Sequence, residues 1–184
     1  GYGFRADSIG NGSVFNYCEF VACDVGLGHN LGHGHCTGIH INSSYFKVMN
    51  VAAIESSIGS LLSINQCYFE GCKYIVDVYS TNSYGRSPLL ILENSFMSIF
   101  SSSPNPSLIR QNIPSNLTLN LILNNNYLSN TDIATYYNHF IEVVSGDIII
   151  KAENNKLGEP LRNFPISSKT PLKASYFNND FSDT

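Results

Sequence analysis

Four charged residues sit at equivalent points of four segments and could do chemistry together. In each segment a charged residue stands between two residues that would point to the opposite face of a strand: Ile54-Glu55-Ser56, Val76-Asp77-Val78, Ile109-Arg110-Gln111 and Ile141-Glu142-Val143. Aligning the apolar residues as neighbouring strands puts Glu55, Asp77, Arg110 and Glu142 in one outward column. Gln111 departs from the inward apolar pattern of the other segments.

The chemistry of this column follows from its spacing. Neighbouring strands would hold Glu55 and Asp77 about 5 Å apart at the backbone. Like charges that close raise the pKa of one group, while an arginine holds a neighbour ionised. A glycoside hydrolase needs two such unequal carboxyl groups, one as the acid and one as the nucleophile or base. A polysaccharide lyase would instead use Arg110 or a histidine, and an ordinary charge ladder would only keep a solvated face polar.

A glycine-rich segment, Gly26 to His35, carries three of the five histidines: His29, His33 and His35. Its glycine content predicts a loop. Imidazoles are common metal ligands, but this spacing is typical of no single metal geometry and no carboxylate accompanies it. We predict neither a metal nor another cofactor. His33 would fall near the start of the charged column and is a catalytic candidate, His35 is a candidate substrate contact, and an ordinary polar loop is the alternative.

Several tyrosines flank the same face, in or beside the segments Ser80 to Pro88 and Ser129 to His139. They are Tyr79, Tyr84, Tyr136 and Tyr137. A tyrosine ring can stack on a sugar while its hydroxyl stays in water. Together with Glu142 and His35, these residues are the candidate substrate-binding set, and packing at the rim of the fold is the alternative for some of them.

A six-residue pattern positions these candidates, and Ile64 to Phe69 is its clearest copy. Similar hexapeptides begin at Phe15, Ile41, Leu92, Leu123, Ala152 and, more weakly, Tyr176. Apolar residues occupy the first and sixth positions, and the second is usually Asn or Glu. The fourth is a small polar residue, which we expect to hydrogen-bond to the backbone at a bend and to accept left-handed geometry: Cys18, Ser44, Cys67, Ser95, Asn126, Asn155, Asn179.

A recurrence of 23 to 31 residues indicates a solenoid. The alternation before each corner can be buried only against the coils above and below. We predict an all-β, single-stranded right-handed parallel β-helix of about seven coils over residues 1–159. A proline-containing loop (160–171) and a last partial coil or cap (172–184) would follow, in a fragment of a longer chain whose first residues already form a strand, Phe4 to Ile9.

The Asn, Ser and Cys column with variable loops, over residues 13–158, resembles the right-handed β-helices of pectate lyases and bacteriophage tailspikes. This resemblance implies a tailspike or capsule depolymerase, located in the virion or outside the cell, that binds and degrades a bacterial capsular polysaccharide or lipopolysaccharide glycan. Glu55 and Asp77 would be the acid and base, and Arg110 would balance the charge. A non-catalytic shaft or adhesin and a secreted polysaccharide lyase are the alternatives.

Composition excludes some partners. Charged residues make up 13% of the 184, the net charge is −4, and the ten Lys and Arg are scattered. No basic stripe exists to neutralise a phosphate backbone, so we expect no nucleic acid partner. No apolar run reaches the roughly 18 residues of a membrane span, so we expect no membrane insertion.

Two further features concern the surface and the thiols. Outward apolar residues on the strand before the corner predict a surface that other subunits or a loop from elsewhere in the chain would cover: Leu61, Leu89, Ile91, Ile122, Ile149. We favour a homotrimer, the assembly of the tailspikes that the chain resembles. Cys18 and Cys67 would lie two coils apart, roughly 9.6 Å, too far for a disulfide. With Cys23 and Cys72 they are predicted to be small buried residues, while Cys36 is left open.

Overall fold

The computed structural model describes residues 1–6, 12–29, 38–57, 61–79, 87–98, 107–129, 141–157, 166–168 and 173–177. All of the regular secondary structure in these ranges is β-strand, and every strand pairing is parallel. The strands form three ladders, and within each ladder a strand pairs with its counterparts from the preceding and following repeats.

The first ladder is a seven-stranded sheet built from the residues that lead into each hexapeptide. Its strands are β2 (Ser13–Asn16), β5 (Ile39–Asn42), β7 (Leu61–Asn65), β9 (Leu89–Glu93), β12 (Thr118–Asn124), β15 (Asp147–Glu153) and β18 (Lys173–Phe177). The register agrees with the repeat at every step, because the first hexapeptide residues pair in sequence order: Phe15, Ile41, Ile64, Leu92, Leu123, Ala152, Tyr176.

The second ladder consists of short strands that begin just after the corner. They are β3 (Glu19–Val21), the first part of β6 (Tyr45–Ser57), the first part of β8 (Tyr68–Tyr79), β10 (Phe96–Ser98), β13 (Tyr127–Ser129) and β16 (Lys156–Leu157). The third ladder consists of β1 (Tyr2–Ala6), β4 (Val25–His29), the later parts of β6 and β8, β11 (Ile109–Asn112), β14 (Ile141–Ser145) and β17 (Ile166–Ser168). Because β6 and β8 run through both ladders, these belong to one eleven-stranded sheet.

The core lies between the ladders. Ile41, Ile64 and Leu92 are fully buried at the first hexapeptide position. Phe46 stacks between Phe20 and Phe69, with ring centroids 4.9 and 5.2 Å apart. Each fully buried side chain of this size contributes roughly 1.5–3 kcal/mol, so burial against neighbouring repeats stabilises strands that have no local partner. All-parallel ladders with this register are compatible with a parallel β-helix or another solenoid.

The corner after the first ladder differs from the prediction in one detail. The left-handed residue is at the third hexapeptide position, not the fourth: Tyr17, Ser43, Gln66, Asn94, Asn125, Asn154. The fourth position turns inward instead, and its side chain hydrogen-bonds to the backbone as predicted. Asn126 Oδ1 accepts from the Ser95 amide at 3.1 Å, and Asn126 Nδ2 donates to the Leu92 carbonyl at 2.8 Å. One residue therefore makes the bend and the next anchors it.

Three other expectations differ in part. β4 continues to His29, so the segment predicted as a loop from Gly26 begins as a strand. A Cβ on Gly26 would lie 2.7 Å from the Ala53 carbonyl oxygen, so glycine here allows close strand packing. β1 begins at Tyr2 rather than Phe4. β17 lies inside the 160–171 segment, where prolines predicted an interruption, because three residues suffice to pair with β14 between Pro165 and Pro171.

The four cysteines in the described ranges are free thiols. Cys67 and Cys72 are buried, as predicted, and burial raises their pKa values to about 11 and about 12. Cys18 and Cys23 are only partly buried. Cys36 lies outside the described residues.

Candidate functional site

The charged column forms on the third ladder with the predicted register. Glu55 pairs with Asp77, Asp77 with Arg110, and Arg110 with Glu142. Four side chains that are far apart in sequence therefore lie on adjacent strands of one face. Each gap is one strand spacing, about 4.8 Å.

Asp77 is the least exposed member of the column, with 8% of its side chain accessible. Its short side chain lies between the longer Glu55 and Arg110 side chains of the adjacent strands. Burial raises the pKa of Asp77 to about 6. The Arg110 charge opposes this rise and the Glu55 charge adds to it. Burial, rather than like-charge repulsion, is thus the main cause of the raised pKa of Asp77.

The two oxygens of Asp77 have different surroundings. Arg110 donates to Oδ2 at 3.3 Å, while Oδ1 is buried and has no hydrogen-bond partner among the described residues. A guanidinium cannot accept a proton, so the Asp77 proton belongs on Oδ1. An unpartnered buried oxygen lowers the stability of the fold unless a ligand or another group hydrogen-bonds to it. Asp77 can therefore carry its proton on Oδ1, which lies beneath the accessible surface.

Glu55 is held by two tyrosines. Tyr2 donates its hydroxyl to Oε2 at 3.1 Å, and Tyr79 donates to the same oxygen at 3.4 Å. Burial raises the pKa of both hydroxyls and the Glu55 charge raises them further, so both stay protonated and donate. Glu55 is thus oriented by donors from strands on either side, β1 and β8.

Tyr74 completes the described part of this face. Arg110 lies over its ring, 5.8 Å from the centroid. Burial raises the pKa of the Tyr74 hydroxyl, and the Glu142 charge raises it further. The cation–π contact and the ion pair to Asp77 together fix the Arg110 side chain. Arg110 is therefore positioned by groups on β8.

The structure brings together Glu55, Asp77, Arg110, Glu142 and Tyr79 of the predicted site. Tyr79 contacts Glu55 through its hydroxyl. The remaining candidates lie outside the described residues: His33, His35, Tyr84, Tyr136, Tyr137.

Sequence reasoning missed Tyr2 and Tyr74. β1 precedes the first hexapeptide, so no repeat indicated its register. Tyr74 shares the alternation of the inward Val76, so its position indicated a core residue.

A second group of aromatic residues was also missed, although the fifth hexapeptide position carries it. The rings follow one another along the second ladder at centroid distances of 5.0–5.2 Å, with Tyr45 and Tyr68 tilted by 41° and the other two pairs stacked: Tyr45, Tyr68, Phe96, Tyr127. Because most ring faces cover one another, mainly edges remain for contact with a ligand. Lys156 lies over the last ring, 5.8 Å from the centroid. The arrangement is better suited to holding strands together than to stacking on sugars.

The predicted outward apolar residues lie in two adjacent columns of the first ladder. Asn120 separates Leu89 from Ile149 in one column, and Ile122 follows Ile91 in the other. A shallow groove of about 370 Å³ lies between Leu89, Ile122 and Ile149. Among the described residues, no group of three metal-ligating side chains occurs, and no helix is long and apolar enough to cross a membrane.

Comparison with known proteins adds no family to this picture. No family model matches the chain, and no curated protein and no solved structure matches it significantly.

Proposed function

We propose that the chain is a right-handed parallel β-helix of about seven coils that binds and cleaves a bacterial surface polysaccharide, as a tailspike-like depolymerase. The observation that carries the proposal is Asp77: a buried carboxyl group with one unpartnered oxygen, one strand away from a carboxylate that two tyrosines orient. Capsular polysaccharide or lipopolysaccharide would be the substrate. The virion or extracellular location and the homotrimer rest on the resemblance to tailspikes.

The residues have separate roles in this proposal. Asp77 Oδ1 gives its proton to the glycosidic oxygen as the bond to the anomeric carbon breaks. Glu55 attacks that carbon and forms a glycosyl ester. Water then hydrolyses the ester while Asp77 takes a proton back. Arg110 holds Asp77 through Oδ2. Because Oδ1 is buried, the Asp77 side chain must rotate to present it to the substrate. Glu142 contacts a neighbouring sugar.

The strand spacing favours retention of anomeric configuration. Retaining enzymes hold their two carboxyl groups about 5–5.5 Å apart, and inverting enzymes hold them about 6.5–9.5 Å apart. Glu55 and Asp77 are one strand spacing apart, about 4.8 Å at the backbone. Glu142 lies two spacings from Asp77, with Arg110 between them. The Glu55 and Asp77 pair therefore fits the retaining geometry better.

Hydrolysis is favoured over elimination because Arg110 is unsuited to act as the base. Its guanidinium is permanently protonated and is already engaged with Asp77 and Tyr74. A lyase would need a base such as His33 or His35, outside the described residues.

The test is incubation of the chain with a panel of purified bacterial capsular and lipopolysaccharide glycans. New reducing ends and the ultraviolet absorbance of unsaturated uronates are measured together. New reducing ends without absorbance support the hydrolase, and NMR of the first product gives its anomeric configuration. Both signals together would contradict hydrolysis and indicate a lyase. Glycan binding without either signal would contradict catalysis and indicate a non-catalytic shaft or adhesin. In such a protein the charged column would only keep the solvated face polar.

A further inference from the structure

The charged column extends beyond Glu55 to the first strand. Leu27 pairs with Ile54, which puts Gly28 beside Glu55, and Arg5 pairs with Gly28. Arg5 therefore lies two strand spacings, about 10 Å, from Glu55 on the same face.

Gly28 leaves a gap in the column that a neighbouring side chain fills. A Cβ on Gly28 would lie 2.3 Å from the Tyr2 ring, so the ring occupies the space that a side chain would take. The Tyr2 hydroxyl reaches Glu55 from this position. The ring thus forms the floor of the face between Arg5 and Glu55.

Arg5 lies over this ring, with its guanidinium carbon 5.0 Å from the centroid. Stacking orients a guanidinium and leaves the N–H groups at its edge free to donate. Arg5 is exposed and has no carboxylate partner in the part of the chain that the structure describes. By contrast, Arg110, Lys47 and Lys151 each form an ion pair.

We infer that Arg5, stacked on Tyr2, binds the carboxylate of an acidic sugar unit, so that the substrate is an acidic polysaccharide. This inference rests on the proposed function and deepens it by naming the substrate class. A guanidinium edge matches a carboxylate with two parallel hydrogen bonds. The two strand spacings to Glu55 put the bound carboxylate on a sugar near the cleaved bond rather than on the reacting sugar itself.

Other charged and titratable groups on this face are compatible with an anion at Arg5. Glu55, the nearest carboxylate in the column, already accepts from two tyrosines, and Asp77 is paired with Arg110. Glu142 lies farther along the column, beyond Arg110. Arg5 is thus a described cation on this face that is available to an incoming anion. Lys73, which lies over the Tyr74 ring 5.6 Å from its centroid, is a second such cation but lies beside Arg110 rather than beside Glu55.

The test compares each active glycan with a carboxyl-reduced form of the same polysaccharide, in which every carboxylate has become a neutral alcohol. Three proteins are used: the unchanged chain, Arg5→Gln and the control Lys156→Gln. The control also removes one cation that lies over a tyrosine ring, but on the second ladder. Dissociation constants and rates of reducing-end formation are measured for both glycan forms.

The unchanged chain should bind the native glycan at least about tenfold more tightly than the reduced form, the loss expected for a charge-assisted hydrogen bond. Arg5→Gln should lose that preference, and Lys156→Gln should keep it. Equal binding of both forms by the unchanged chain, or an unaltered preference in Arg5→Gln, would overturn the inference.

The failure of the inference can be distinguished from the failure of the proposed function. Cleavage of neutral glycans, with no effect of Arg5→Gln, would leave the proposed function standing and refute the acidic subsite. Absence of any binding or cleavage by the unchanged chain would refute both.

Discussion

Replacement of Asp77 by Asn should change how stability depends on pH. The pKa of Asp77 rises from 3.8 to about 6 on folding. The folded state therefore favours the protonated carboxyl group, and stability falls as pH rises from about 4 through about 6. At about 1.4 kcal/mol for each pH unit, the full effect is about 3 kcal/mol.

About 2 kcal/mol of this effect falls between pH 4.5 and 7.5. An asparagine at the same position cannot ionise. The free energy of unfolding of Asp77→Asn, relative to the unchanged chain, should therefore rise by about 2 kcal/mol over that interval. Comparing the difference at two pH values removes any constant effect of the amide on packing.

The assay is chemical denaturation followed by far-ultraviolet circular dichroism from pH 4.5 to 7.5. Arg110→Gln is a second variant, for which we expect a shift in the pH range over which stability is lost. The Arg110 charge lowers the pKa of Asp77, so its removal should raise that pKa and extend the loss of stability to higher pH. A difference between Asp77→Asn and the unchanged chain that stays constant, or falls, with pH would refute the reasoning.

Three further predictions concern the scaffold. Asn126→Leu should lower the free energy of unfolding by about 2–3 kcal/mol, measured by denaturant titration, because it leaves buried backbone groups unpaired; Asn126→Ser should cost less. Val48 is exposed and has a φ of 57°, so Val48→Gly should raise the melting temperature, with a gain of up to about 1 kcal/mol, and an unchanged or lower value would contradict strain there. Cys67 and Cys72 should react with iodoacetamide at pH 8 much more slowly than Cys18, by mass spectrometry of a time course, because they are buried with raised pKa values; equal rates would contradict their burial.

The register of the repeats could be predicted because side-chain alternation and the corner hexapeptide act together. A shift of one residue would turn Ile41, Ile64 and Leu92 away from the core. The column of Glu55, Asp77, Arg110 and Glu142 followed from the same alternation. These features could be predicted because they depend only on the order of apolar and polar residues along the chain.

The remaining features depend on contacts that no repeat encodes. Asn and Ser occur at both the third and the fourth hexapeptide positions, so residue type alone did not show that the third makes the bend. Alternation placed Asp77 on the outward face, but its burial depends on the longer side chains beside it. The contact from Tyr2 to Glu55 requires the register of β1 and the missing side chain at Gly28, neither of which the hexapeptide predicts.

The most direct test of the central claim is turnover of the best glycan by Glu55→Gln and by Asp77→Asn, with glycan affinity measured for the same proteins. Lys151→Gln, on the first ladder rather than the third, is the control. We predict that each amide lowers the rate by roughly 100-fold or more, while affinity changes little and the control stays fully active. Turnover that survives both substitutions would contradict the assignment of this column as the catalytic site.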